Sequence, residues 1–141
     1  MNTDNSVWTV ELDAKGWPKE MPVLSASNIR KGAMNLSGDH GEMNCHCLMG
    51  WIRIACGIKP TPALNMFGPE DPVYMSGTPA CKLRSKLQEN INNWITVNRP
   101  NTFQMSIVSF NDDNHTLKGE IAEIWNTTIR QLGYKHVEDN E

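Results

Sequence analysis

The sequence predicts an α+β domain that is mainly helical, with about four helices around a buried central helix and a minor two-stranded β element. Three observations carry that expectation. Residues 44–57, NCHCLMGWIRIACG, are apolar around most of a helical circumference with Arg53 as the one formal charge, and a helix apolar nearly all round is a buried one. Stretches beginning at Thr78 and Thr116 repeat apolar residues at three- and four-residue spacing, the period of an amphipathic helix. Residues 7–12 and 103–110 are rich in β-branched and aromatic side chains, which reads as two strands that pair.

In chain order, the strand at 7–12 is closed by a turn at 13–18 containing Gly16 and Pro18. Residues 25–28 offer N-cap chemistry ahead of Ile29, Ala33, Met34 and Leu36, so a short first helix is expected to run to the turn at 37–41. The central helix takes Asn44 as its N-cap and Gly57 just past its end. At about 100° per residue, Cys45, Leu48, Met49, Ile52 and Cys56 share one face, and Cys47, Trp51, Ile54 and Ala55 cover the opposite one. His46, Gly50 and Arg53 are left as a narrow polar stripe.

Residues 58–79 hold Pro60, Pro62, Pro69, Pro72 and Pro79, which excludes regular helix. Leu64, Met66, Phe67, Val73, Tyr74 and Met75 make this stretch an ordered flap rather than a disordered one. Thr78 followed by Pro79 is a helix start. Leu83, Leu87, Ile91, Trp94 and Ile95 then mark a helix ending near Val97, ahead of Pro100. Its apolar face is expected to pack on Cys45, Met49 and Ile52. Leu117, Ile121, Ile124, Trp125, Thr128 and Leu132 mark the last helix, closed by Gly133, before a frayed acidic tail at 134–141.

At 141 residues and 39% hydrophobic content, the chain can bury a core as a single compact domain over 1–141. Thirteen basic against sixteen acidic residues give a net charge of -3, the wrong sign for a protein that coats nucleic acid. Trp8 and Trp17, the two tryptophans off the helical faces, lack the basic stripe of a base-stacking platform, so no nucleic-acid partner is expected. No apolar run is long enough to cross a bilayer, and the first residues lack a basic and an apolar leader region. A cytoplasmic chain with four reduced cysteines is the expectation. No glycine cluster precedes a Lys-Ser/Thr pair, so there is no phosphate-binding loop, and no cofactor is expected.

Two segments resemble a known family. Cys47-Leu48-Met49-Gly50 lies in a helix that ends in Ala55-Cys56-Gly57, within residues 29–57. In residues 106–132, an apolar run leads into Phe110-Asn111-Asp112 and then a capped amphipathic helix. Together these are similar to a family of small uncharacterised proteins of bacteria and their phages. The resemblance implies a mostly helical domain that brings the Cys47 helix near the Asn111-Asp112 loop. It also implies an accessory protein directed at a host protein, and it carries no established activity. The flap and the amino-terminal strand have no counterpart in it.

Three chemistries can be weighed on the residues. Cys45 and Cys47 fall in a helical first turn, where the dipole and free N–H groups favour a thiolate, with His40, His46 or His115 as base and Asp112 as orienter. No complete nucleophile–base–orienter set can be assembled from these. His40, Cys45, His46, Cys47 and Cys81 are zinc-ligand types, but Cys-x-Cys on a helix sets the sulfurs about 160° apart, so no metal site is assigned. Asn111, Asp112, Asp113 and Thr116 are first of all caps and turn formers, and they lack the glycine and glutamate offsets of an EF-hand. The binding face is read as His46, Gly50, Arg53, Asn111 and Asp112. Gly50 costs roughly 1 kcal/mol inside a helix and implies close approach of another backbone. The function expected is a small cytoplasmic binding protein that occupies a host macromolecule. The alternative is a thiol-dependent hydrolase or transferase.

Overall fold

The computed structural model describes residues 10–31, 46–58 and 72–134. Among them are four α-helices, α1 (Leu48–Ala55), α2 (Pro79–Asn98), α3 (Ile107–Asp112) and α4 (Lys118–Gln131), and 3-10 turns at Ala26–Asn28 and Pro72–Tyr74.

The longest helix, α2, starts where the sequence says it should. Thr78 Oγ1 accepts the Cys81 backbone N–H at 3.1 Å and Pro79 occupies the first helical position, satisfying one orphan donor and removing another. Ala80, Leu83, Leu87, Ile91 and Ile95 form its buried stripe. In α4 the Leu117 backbone N–H donates to Glu120 Oε1 at 2.9 Å, and Ile121, Ala122, Ile124, Trp125, Thr128 and Ile129 are buried. Past its end Gly133 has φ +99, and the N–H of Tyr134 returns to the Ile129 carbonyl at 3.0 Å, a left-handed closure that glycine permits. The two long helices run antiparallel. Asn90, in mid-α2, donates to Thr128 and Gln131 late in α4, whereas Arg99, just past α2, reaches Thr116, just before α4.

Helix α1 sits at the centre, touching both α2 and α3. Leu48, Trp51, Ile52 and Ala55 join Leu83, Leu87, Ile91, Phe110, Ile121 and Trp125 in one core. It ends as predicted, with Gly57 at φ +76. It begins later than predicted, at an N-cap on Cys47, because His46 is drawn out into a parallel bridge with Ile29. The N–H of Arg30 meets the His46 carbonyl, and the N–H of His46 meets the Asn28 carbonyl, each at 3.0 Å. Asn44 and Cys45 lie outside the described residues, as do 32–45 generally.

Several expectations are corrected. No sheet occurs among the described residues; the bridge Leu12–Pro18 closes a local turn and the Ile29–His46 bridge stands alone. The predicted second strand is instead helix α3 over its second half. Ser106 Oγ accepts the Ser109 N–H at 3.1 Å as an N-cap, and Ile107, Phe110 and Asn111 are buried at helical spacing. The residues expected to cap the first helix form a 3-10 turn, Ala26–Asn28, and Ile29 is extended at φ -105 and ψ 128; the rest of that expected helix, from residue 32, lies outside the described residues. Of the flap at 58–79, residues 59–71 lie outside the description; Val73 is buried while Tyr74 and Met75 are exposed. Trp94 turns toward α3, edge-on to Phe110 at 5.5 Å, rather than toward α1. The predicted tail begins at Tyr134, which packs against the core; residues 135–141 lie outside the description.

Leu87 is wholly buried on the α2 stripe, so Leu87→Ala should destabilise by about 2–5 kcal/mol in urea denaturation. A loss under about 0.5 kcal/mol, the level of a surface change, would mean the core is elsewhere.

Candidate functional site

A helix of eight residues that begins inside the protein has N–H groups needing partners. Helix α3 supplies one. Leu48 donates its backbone N–H to Asn111 Oδ1 at 3.0 Å, and Asn111 Nδ2 donates to the Arg30 carbonyl at 2.9 Å and to Asp112 Oδ1 at 3.0 Å. One buried amide thus holds the start of α1, the end of α3 and the 26–31 segment. A small crevice opens beside it, lined by Cys47, Met49, Val108, Asn111 and Asp112.

The structure therefore brings Cys47, Asn111 and Asp112 together, with Asp112 exposed at the rim and Cys47 buried. The candidate bases that are described make other contacts. The His46 ring lies edge-to-face on Trp51, with centroids 5.0 Å apart. His115 sits in the loop after α3, its Nδ1 4.0 Å from Asp113 Oδ2. His40 and Cys45 lie outside the described residues. Cys81 is half-buried in the first turn of α2. Among the described residues no group of three His, Cys, Asp or Glu side chains is placed to hold a metal.

The polar stripe faces inward, which corrects its reading as a binding surface. His46 is 1% exposed and Arg53 2%, and Gly50 is buried between them. The Arg53 Nη1 donates to the Met49 carbonyl one turn back at 3.3 Å. Narrow stripes on a helix surrounded by other elements are enclosed regardless of polarity, because the neighbours that cover its apolar faces cover the gap as well.

Sequence reasoning missed a second cluster. Arg99 forms an ion pair with Asp113 at 3.1 Å, donates to Thr116 Oγ1 at 3.3 Å and to the His115 carbonyl, and lies over the Trp94 ring at 5.2 Å. Lys31 donates to the Asp113 and Thr116 carbonyls from the other side. Desolvation raises the Asp113 carboxyl, but the His115 N–H, Arg99 and Thr116 together outweigh it and hold the group below the usual carboxylate range. Arg99 stands at the C-cap of α2, a position that carries no local sign of partners fourteen to seventeen residues on.

Compared with family models, with curated proteins and with solved structures, the chain matches none.

Two measurements probe this region. Asn111→Leu removes all three side-chain hydrogen bonds at nearly constant volume, leaving the buried Leu48 N–H and the Arg30 carbonyl without that partner. It should cost about 1–3 kcal/mol for each group, whereas Asp112→Asn at the exposed rim should stay within about 0.5 kcal/mol. Equal effects from the two would remove Asn111 from its bridging role. Burial pushes the Cys56 thiol from 9.0 up to about 12, so the folded state keeps a proton that the unfolded chain has lost. Its stability contribution is intact below pH 9 and declines as pH rises toward 12, by about 1.4 kcal/mol per pH unit. Tyr134 is also raised by desolvation and acts with the same sign. Urea midpoints at pH 8 and pH 10 should therefore fall further for the natural protein than for Cys56→Ala; parallel falls would refute the assignment.

Proposed function

We propose that the chain is a small protein-binding module of the phage accessory kind, acting in the cytoplasm by occupying a host protein. The observation that supports this is the exposure of three large apolar side chains where α2 leads toward α4. Phe103 is 92% exposed, Val97 77% and Leu117 64%. Val97 lies two residues before Arg99 and Leu117 directly after Thr116, so the Arg99–Thr116 hydrogen bond holds their backbones at one end of the helix pair. Apolar surface in water is unfavourable at about 25 cal/mol per Å², and a patch of it on a rigid support is the usual mark of a partner site. The Arg99 and Lys31 contacts hold the 113–116 loop that leads into Leu117, and a support ordered in advance lowers the ordering cost of association. The direction toward a host protein comes from the family resemblance.

The binding face is accordingly moved from the buried stripe to this end of the bundle. The Cys56 thiol, raised by burial to about 12, is no nucleophile at neutral pH.

The test is a tagged pull-down from host lysate, read by mass spectrometry, with the natural protein and the double variant Val97→Ser, Phe103→Ser. The variant should keep its stability within about 0.5 kcal/mol, as changes at exposed positions do, and should lose the captured partner. Undiminished capture by the variant would place the partner surface elsewhere, and the absence of any specific capture would count against the binding reading itself.

A further inference from the structure

On one flank of α4, the protein already shows how it recognises a non-helical stretch of polypeptide. Asn126 uses both ends of its amide on one residue: Oδ1 accepts the Leu24 N–H at 2.9 Å and Nδ2 donates to the Leu24 carbonyl at 2.8 Å. Its neighbour Trp125 donates its indole N–H to the Pro22 carbonyl at 2.8 Å. Met21 and Leu24 are buried alongside. A tryptophan–asparagine pair on a helix thus reads backbone through hydrogen bonds, and the adjoining apolar side chains supply burial.

Across from α4, helix α2 carries the same two residue types in the opposite order, Asn93 then Trp94, with no occupant against them among the described residues. A groove of about 380 Å³ runs between α2 and α4, lined by Asn93, Trp94, Val97, Asn98, Ile124 and Glu123 among others. Asn93 and Trp94 are again consecutive. The Asn93 amide, the Trp94 indole N–H and the Glu123 carboxylate have no hydrogen-bond partner among the described residues, and Asn93 and Glu123 are exposed. Trp94 is held from behind by Phe110 and Arg99, so its ring is a fixed wall. Glu123 is the sole charge in the lining, which sets the charge a partner must bring. The volume suits a few side chains rather than a folded domain.

We infer that this groove binds an extended polypeptide segment of a partner protein, one carrying an apolar residue beside a lysine or arginine. Asn93 clamps the segment's backbone, Trp94, Val97 and Ile124 receive the apolar residue, and Glu123 meets the cation. This rests on the binding-module reading and specifies its partner's chemistry; the exposed Val97 joins the groove to the apolar end described above.

The experiment is affinity selection from a random dodecapeptide library, followed by fluorescence anisotropy with the enriched peptide as probe. Enriched sequences should pair an apolar residue with Lys or Arg. Asn93→Ala should weaken binding about tenfold, the loss expected for a two-hydrogen-bond clamp, and Glu123→Gln should abolish the preference for the basic residue, with unchanged melting temperature in both. Failure to enrich, or enriched peptides that bind both variants like the natural protein, would overturn the inference. So would a concentration-dependent dimer dissolved by Asn93→Arg, which would assign the groove to a second copy of the chain. A lysate partner that is lost with Val97→Ser, Phe103→Ser but retained by Asn93→Ala would sink this inference while leaving the binding-module reading standing.

Discussion

The side chain of Asn111 is the contact on which the rest of the arrangement depends. Helix α1 is eight residues long, too short to persist alone, and it is surrounded on nearly every side. Its first N–H groups therefore open into protein rather than water, where an unmade hydrogen bond costs far more than a made one gains. Asn111 resolves this by donating and accepting at once, and in doing so it fixes where α3 must end and where residues 26–31 must pass. The parallel bridge at Ile29 and His46, the late start of α1 and the orientation of the Cys47 crevice all follow from that placement.

How far the sequence disclosed this depends on the length scale of each signal. The α2 and α4 stripes repeat over three or more turns, and their caps at Thr78 and Gly133 are local chemistry, so both helices were legible to within a residue or two. Residues 107–112 were misread because a helix of under two turns shows only one i, i+3, i+4 set, and the same residues in a β-branched run also look alternating. The start of α1 was misplaced because a tertiary bridge pulled His46 out, and no local pattern reports a pairing with Ile29. Burial of His46 and Arg53 was hidden for a related reason: polarity predicts exposure only where a helix has a free side. Asn111 reads locally as a cap or turn former for the helix that follows it, but the N–H it accepts belongs to Leu48, sixty-three positions away in sequence.

The same geometry bears on the chemistry. A thiol at a helix start is reactive when the N–H groups around it are free to stabilise negative charge. In this protein the Leu48 N–H is already committed to a neutral amide, and of the candidate bases that are described, His46 lies against Trp51 and His115 sits in the 113–116 loop. Recognition surfaces, by contrast, are built from what folding leaves over. Among the described residues, the exposed Val97, Phe103 and Leu117 side chains and the Asn93 amide are left over in that sense.

The contacts of residues 22–31 have a bearing on how the chain comes to be folded. Pro22 and Leu24 are held by Trp125 and Asn126, Arg30 by Asn111, and Lys31 by the loop at 113–116. Every one of these partners is synthesised some eighty to one hundred residues later. During translation residues 28–30 can meet His46 and Trp51 soon after they are made, whereas Pro22 and Leu24 lack their partners until α4 has left the ribosome. Helix α2 can form as soon as it emerges, but closure of the core over Met21 and Leu24 awaits α4.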